Sequence, residues 1–127
     1  MGVTYDTGAL RAAERNDRGM WALHHGFLEE ESIPTVPAPV VAQAWRGGSR
    51  QASLARLLAP CRVESMDDES SRRVGALAGK AKHGDVVDVC VVDGAIRRND
   101  GVITSDPDDL RRIARAGGRP RLRIERV

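Results

Sequence analysis

Aromatic side chains are scarce in this chain, with one tyrosine, one phenylalanine and two tryptophans among 127 residues. That scarcity argues against the stacking surfaces on which RNP-type and OB-type proteins spread bases. No run of 18 apolar residues occurs, which excludes a membrane-spanning helix. The start Met1-Gly2-Val3-Thr4-Tyr5-Asp6 meets an acid too early for a signal peptide, so a soluble, cytoplasmic protein without a membrane partner is expected. Cysteine is limited to Cys61 and Cys90, without CxxC spacing or a histidine cluster, which predicts buried free thiols rather than a disulfide or a zinc site. Lysine is nearly missing: 18 of the 20 basic residues are arginine, and seven of those fall between Arg111 and Arg126. Arginine is the better residue for bidentate phosphate contacts, so a basic end suits a polyanion although the net charge is only +2. The length suits one domain spanning 1–127, and there is neither a repeat nor a low-complexity linker.

Strand-like and helix-like segments alternate, as in a parallel α/β sheet. Strands are expected at Gly2–Tyr5, Ile33–Val36, Cys61–Met66, Val102–Thr104 and Leu122–Val127. Helices are expected at Thr7–Glu14, Asp17–Glu30, from Pro39 to the break at Gly47-Gly48, Gln51–Leu58, from the cap Asp67 to about Lys80, and Asp106–Ala116. Asp85–Arg98 is ambiguous, since five valines favour a strand. A strand would bury Asp88 and Asp93, however, whereas a helix puts Asp85 and Asp88 on one face and pairs Asp93 with Arg97.

Three aspartates far apart in sequence, Asp6, Asp88 and Asp106, stand where an apolar strand ends or a helix begins, and open α/β sheets build their sites there. Clustered carboxylates repel and raise one another's pKa values, so an empty cluster has little structural purpose, whereas a hard cation turns the repulsion into affinity. A divalent-metal site follows from the residues. Asp17, Asp67, Asp85 and Asp106 are also candidate helix caps. His24, His25 and His83 show no metal spacing with the acids and read as surface or core residues; Trp21 and Trp45 read as packing or interface residues.

The order of these features resembles the PIN-domain endoribonucleases, and among them the VapC-like toxins of toxin–antitoxin modules. The resemblance covers essentially the whole chain. It is carried by the strand into Asp6, the Pro39-to-Arg46 helix, Asp88 opening an apolar helix, and Thr104-Ser105-Asp106 followed by Asp109-Leu110. It implies a three-layer α/β/α sandwich with a mainly parallel sheet, a Mg2+- or Mn2+-dependent ribonuclease, a small antitoxin partner and a homodimer. Its metal-holding acids fall on Asp6, Asp88 and Asp106. A further acid of the family's pattern falls on Gln43, which has a carbonyl oxygen but no charge; Asp85 is the candidate replacement, and Asp85 or Asp109 would orient the attacking water. Arg46, with Arg111 and Arg112 of the basic end, would hold RNA phosphates. Two other classes fit the same pattern: a PIN-like binding module weakened by Gln43, and a receiver-like α/β domain, which would need an acidic pair after the first strand.

Overall fold

The computed structural model describes residues 2–127. Five strands, β1 (Val3–Tyr5), β2 (Thr35–Pro37), β3 (Arg62–Glu64), β4 (Gly101–Thr104) and β5 (Ile124–Arg126), form one all-parallel sheet in the order β3-β2-β1-β4-β5. Seven helices connect them: α1 (Thr7–Glu14), α2 (Arg18–Glu29), α3 (Ala38–Ala44), α4 (Ala52–Leu58), α5 (Asp68–Ala81), α6 (Val86–Arg98) and α7 (Pro107–Ala116). Residues 49–51 form a short 3-10 turn before α4. The helix α1 packs on α2, α3 and α4, while α5, α6 and α7 pack on one another, which gives the helical layers of a three-layer α/β/α sandwich. Among the described residues, no helix is long and apolar enough to cross a membrane.

Burial follows from this layering. Strands β1, β2 and β4 lie inside the sheet with helices over them, so they are buried throughout, their threonines Thr4, Thr35 and Thr104 included. The edge strands β3 and β5 are largely exposed. Tyr5, Leu10, Met20, Val36, Leu57, Val89 and Ile113 are at the heart of the core. His24 belongs to it: its Nδ1 is 2.9 Å from the Tyr5 hydroxyl, and burial lowers the pKa of the ring. One net hydrogen bond of this kind contributes roughly 1 kcal/mol.

The valine-rich segment is helix because its ends are built for one. Asp85 Oδ1 accepts from the N–H groups of Val87 and Asp88 at 3.0 and 3.3 Å, and Asn99 closes the helix in the left-handed region at φ 59°. Val89, Val91 and Val92 then face the core. Three expectations need correction. The helix expected from Pro39 to Gly47-Gly48 spans Ala38–Ala44 and ends where Trp45 turns extended at ψ 131°, so Arg46 lies outside it. Asp93 pairs with half-buried Arg73 of α5 at 3.5 Å rather than with Arg97, because α5 and α6 lie side by side; Arg97 and Arg98 instead hold Glu64 of β3. The second strand is Thr35–Pro37, two residues later than Ile33, since its register against β3 pairs Thr35 with Arg62. Both cysteines are free and partly buried, and burial pushes the Cys61 thiol up to about 12.

Candidate metal centre

The sheet order reverses direction at β1, with β2 on one side and β4 on the other. Crevices of open α/β sheets form beyond the carboxyl ends of the strands at such a point. Asp6 follows β1 there and donates its backbone N–H to Ile103 O at 3.2 Å, while Asp106 lies two residues past β4. The two turns touch closely. An added Cβ on Gly8 would come within 2.0 Å of Ser105 Oγ, 2.9 Å of its Cβ and 3.0 Å of its backbone nitrogen.

A pocket of about 240 Å³ opens at this place, and Asp6, Gln43, Asp85, Asp88 and Asp106 all line it. The five side chains come from the β1–α1 turn, α3, the start of α6 and the β4–α7 turn. Asp6 is 6% exposed. Its Oδ1 accepts from Ala9 N–H at 2.9 Å, and its Oδ2 accepts from the Thr104 hydroxyl. Burial pushes its carboxyl above the ordinary range against the opposing pull of Thr104 and the Ala9 and Gly8 N–H groups, and Asp106 pushes it further up. Asp106 makes no side-chain capping bond to α7, so capping does not account for its carboxylate. Its N–H donates instead to Thr104 Oγ1 at 2.9 Å.

Thr104 therefore ties the two acidic turns together, and sequence reasoning passed over its side chain. The only signal was its place in Thr104-Ser105-Asp106. Thr7 was also missed: its hydroxyl donates to Gln43 Oε1 at 2.5 Å, aiming that amide at the pocket from the first turn of α1. Arg11 and Arg15 line the same pocket and were not singled out either, because an exposed arginine on an amphipathic helix carries no local signature.

The phosphate-binding candidates separate. Arg46 donates to Ala42 O and Trp45 O at 3.2 and 2.7 Å and lines an adjoining cavity of about 370 Å³ that also includes Arg11, Arg15 and Gln43. Arg111 and Arg112 are exposed on α7 and line neither cavity, since they lie beyond the first turn of a helix whose N-terminus faces the pocket.

His83 corrects the reading that it has no relation to the acids. One ring nitrogen and carboxylate oxygens of Asp88 and Asp109 all lie within 4.8 Å of one another, a convergence that loop 82–85 produces and spacing could not reveal. Its Nδ1 accepts from Asp85 N–H at 3.2 Å, which leaves the proton on Nε2, directed toward Asp109 Oδ2 3.9 Å away. In that tautomer neither ring nitrogen is free to ligate a metal: Nδ1 already accepts and Nε2 carries the proton.

Asp88 is pushed up to about 6, chiefly by burial, then by Asp85 and Asp6, with Asp109 adding to the shift and His83 opposing it. A carboxyl raised by folding favours its protonated form, so its contribution to stability is present below the unfolded value near 3.9 and is lost as pH rises through about 6. Asp6 acts in the same direction. Set against Asp88→Asn, the metal-free wild type should gain stability from about pH 7.5 to about pH 5 by roughly 1 kcal/mol once solvent screening at a half-exposed group is allowed for, while His24, whose pKa burial lowers, acts in the opposite direction in both proteins. Thermal melts of both proteins in chelator measure this, and a pH profile unchanged by Asp88→Asn would show that folding does not raise the Asp88 carboxyl.

The donor set suits a hard divalent cation: four carboxylates and one amide carbonyl, all oxygen, with burial first and neighbouring carboxylates second raising Asp6 and Asp88. Two further carboxylates nearby are otherwise engaged, Glu14 with Gln51 and Glu64 with Arg97 and Arg98.

No protein-family model matches the chain, and no curated protein matches it in sequence. Solved structures match it in shape. VapBC2 from Rickettsia felis, bound to a DNA fragment from their promoter, superposes with a TM-score of 0.71 at 14% identity over 99% of this chain and 98% of that one. FitAB bound to an IR36 DNA fragment gives 0.66 at 15% identity over 98% and 94%. PAE2754 from Pyrobaculum aerophilum gives 0.63 at 15% identity over 93% and 98%. With five parallel strands between helical layers and full-length superposition on these structures, the chain has the three-layer α/β/α, PIN-like fold.

Proposed function

We propose that this protein is a divalent-metal-dependent endoribonuclease and the toxin of a toxin–antitoxin pair. The observation that carries the reading is the convergence of Asp6, Asp85, Asp88, Asp106 and Gln43 on one pocket at the switch point of a PIN-like sheet. Asp6, Asp88 and Asp106 would hold one Mg2+ or Mn2+. When bound, that cation would polarise the scissile phosphate and make an attacking water more acidic. The chain's own groups do the rest. Thr104 and the Ala9 N–H fix both oxygens of the Asp6 carboxylate, so it is presented without rotational freedom. Asp85, anchored on the N-terminus of α6, or Asp109 beside His83, orients the water and accepts its proton. Gln43, held by Thr7, offers a neutral carbonyl where a charged ligand would bind more strongly.

The test is calorimetric titration of Mn2+ and Mg2+ with an RNA cleavage assay on the same protein. Expected are a binding heat, a melting temperature raised by mass action (about 2.7 kcal/mol at a hundredfold excess over Kd), and cleavage that needs the cation. Gln43→Glu should tighten Mn2+ binding and raise the rate, since it adds charge to a position that already faces the site. No heat, no thermal shift and no cleavage at millimolar Mn2+ would remove the metal reading, and unchanged affinity in Gln43→Glu would remove Gln43 from the site.

The partner side of the proposal rests on α2. Its Leu23 and Phe27, with Gly19, Ala22, Gly26 and Glu30, line an open groove of about 380 Å³. An amphipathic antitoxin helix seated in an apolar groove would cover it, and VapBC2 and FitAB were each solved on DNA. Purified alone, the chain should run as a dimer, and the product of an adjacent small reading frame should co-purify and suppress cleavage. Light scattering and co-expression check both. A monomer with no such binder would leave a solitary nuclease.

A further inference from the structure

We infer that Arg11 and Arg15 form a phosphate track that leads a single polynucleotide strand from the acidic pocket into the neighbouring cavity beside Arg46. This rests on the nuclease reading and names the side from which its substrate is held. The two cavities, about 240 and about 370 Å³, are contiguous, for both are lined by Arg11, Arg15 and Gln43. Arg11 stands in the last turn of α1 and Arg15, four residues on, caps its C-terminus and donates its backbone N–H to Arg11 O at 3.2 Å.

Their charge is uncommitted. Arg72, Arg73, Arg97 and Arg98 are each paired with an acid, and Arg56 lies over the Trp21 ring. Among the described residues, neither the Arg11 nor the Arg15 side chain makes a hydrogen bond or ion pair. Glu14 also lines the second cavity; its Oε1 accepts from Gln51 Nε2 at 2.7 Å, and among the described residues it makes no ion pair with either arginine. Gln51 Oε1 is spent on the Arg46 and Gly47 N–H groups at 2.7 and 2.9 Å. The second cavity thus holds three guanidiniums against the single carboxylate of Glu14, an excess of positive charge.

Two arginines sharing a pocket with four aspartates without pairing to them leave room for a group that satisfies both, and a phosphodiester does so: arginine takes its oxygens on one side while a cation held by the acids takes them on the other. The strand must be single. The reacting phosphate has to reach Asp6, 6% exposed, through a pocket smaller than the roughly 300–1,000 Å³ of sites that enclose whole drug-sized ligands. A base-paired backbone cannot leave its helix to follow that path without unpairing.

The experiment uses the full chain carrying Asp6→Asn to silence cleavage, with a labelled oligo-uridylate, the same strand annealed to oligo-adenylate, and poly-glutamate as an acidic-protein mimic. Anisotropy is followed between about 50 and 200 mM salt. Relative to the Asp6→Asn parent, Arg11→Ala and Arg15→Ala should each flatten the log–log salt slope by about 0.7, and the double variant by about 1.4, at unchanged melting temperature. Arg72→Ala, on the far helix, should change nothing. Three results would overturn the inference: a slope unmoved in the double variant while the parent binds the single strand, duplex bound as tightly as single strand, or loss of poly-glutamate binding with RNA binding intact. Each leaves the nuclease reading standing, because wild-type cleavage is measured separately. Failure of the wild type to cleave, together with failure of the parent to bind RNA, would end both.

Discussion

Asp6→Asn protein should fold, melt at or above the wild-type temperature in metal-free buffer near neutral pH, and cleave RNA at least about 100-fold more slowly. The asparagine keeps the oxygen that accepts from Ala9 N–H and can donate its amide to Thr104 Oγ1, so the local hydrogen bonds survive with one reversed. What disappears is a buried negative charge whose carboxyl is already raised by burial and by Asp106. The energetic and catalytic effects should therefore separate. Asp6→Ala supplies the contrast: losing the cap oxygen of α1 should cost about 1 kcal/mol even as the charge is relieved. Melting curves and a cleavage assay on both variants decide the matter. If Asp6→Asn unfolds, Asp6 is structural; if it cleaves normally, Asp6 holds no metal.

Gly8→Ala should show the largest loss of stability for the smallest chemical change. By helix propensity alone, alanine should stabilise α1 by up to about 1 kcal/mol. The tertiary contact reverses the sign. The new methyl would meet Ser105 Oγ at 2.0 Å, which a side-chain rotation could relieve, but also Ser105 Cβ at 2.9 Å and its backbone nitrogen at 3.0 Å, which rotation cannot. Relief requires the β1–α1 and β4–α7 turns to separate, at roughly 1–3 kcal/mol or a melting temperature lower by about 5–10 °C. Separation would also draw Asp6 away from Asp106, so Mn2+ affinity should fall. A thermal melt and a Mn2+ titration test this together, and an unchanged melting temperature would mean that the turns are not in contact as described.

The sequence by itself determined the alternation of strands and helices and the breaks between them, because these depend on neighbours in the chain. Asp67 capping α5, Pro39 in the first turn of α3 and the Gly117-Gly118 stop all act within a few residues, whereas α3 ends at Ala44, before the Gly47-Gly48 break expected for it. The carboxylates were legible for the same reason: Asp6 and Asp106 each stand where an apolar run ends, at a strand's carboxyl end. Gln43 was legible through the resemblance, and the pocket places its side chain beside the four aspartates.

Pairing and roles were decided only by tertiary structure, since they depend on distances between residues that are neighbours in space alone. Thr104 and Asp6 are 98 positions apart, Thr7 and Gln43 are 36, and Arg97 and Glu64 are 33. A local rule gave Asp93 to Arg97, but helix–helix packing offered Asp93 the Arg73 guanidinium and the adjacent strand offered Arg97 a carboxylate. Proximity likewise put His83 among the acids. The basic cluster most visible in sequence, Arg111 and Arg112, lines neither cavity, while Arg11 and Arg15, unremarkable in sequence, line both. Charge density along a chain reports what the unfolded polymer carries. Which charges meet depends on the turn of each helix and the order of the strands, and in this fold the order β3-β2-β1-β4-β5 brings the turns after β1 and β4 together.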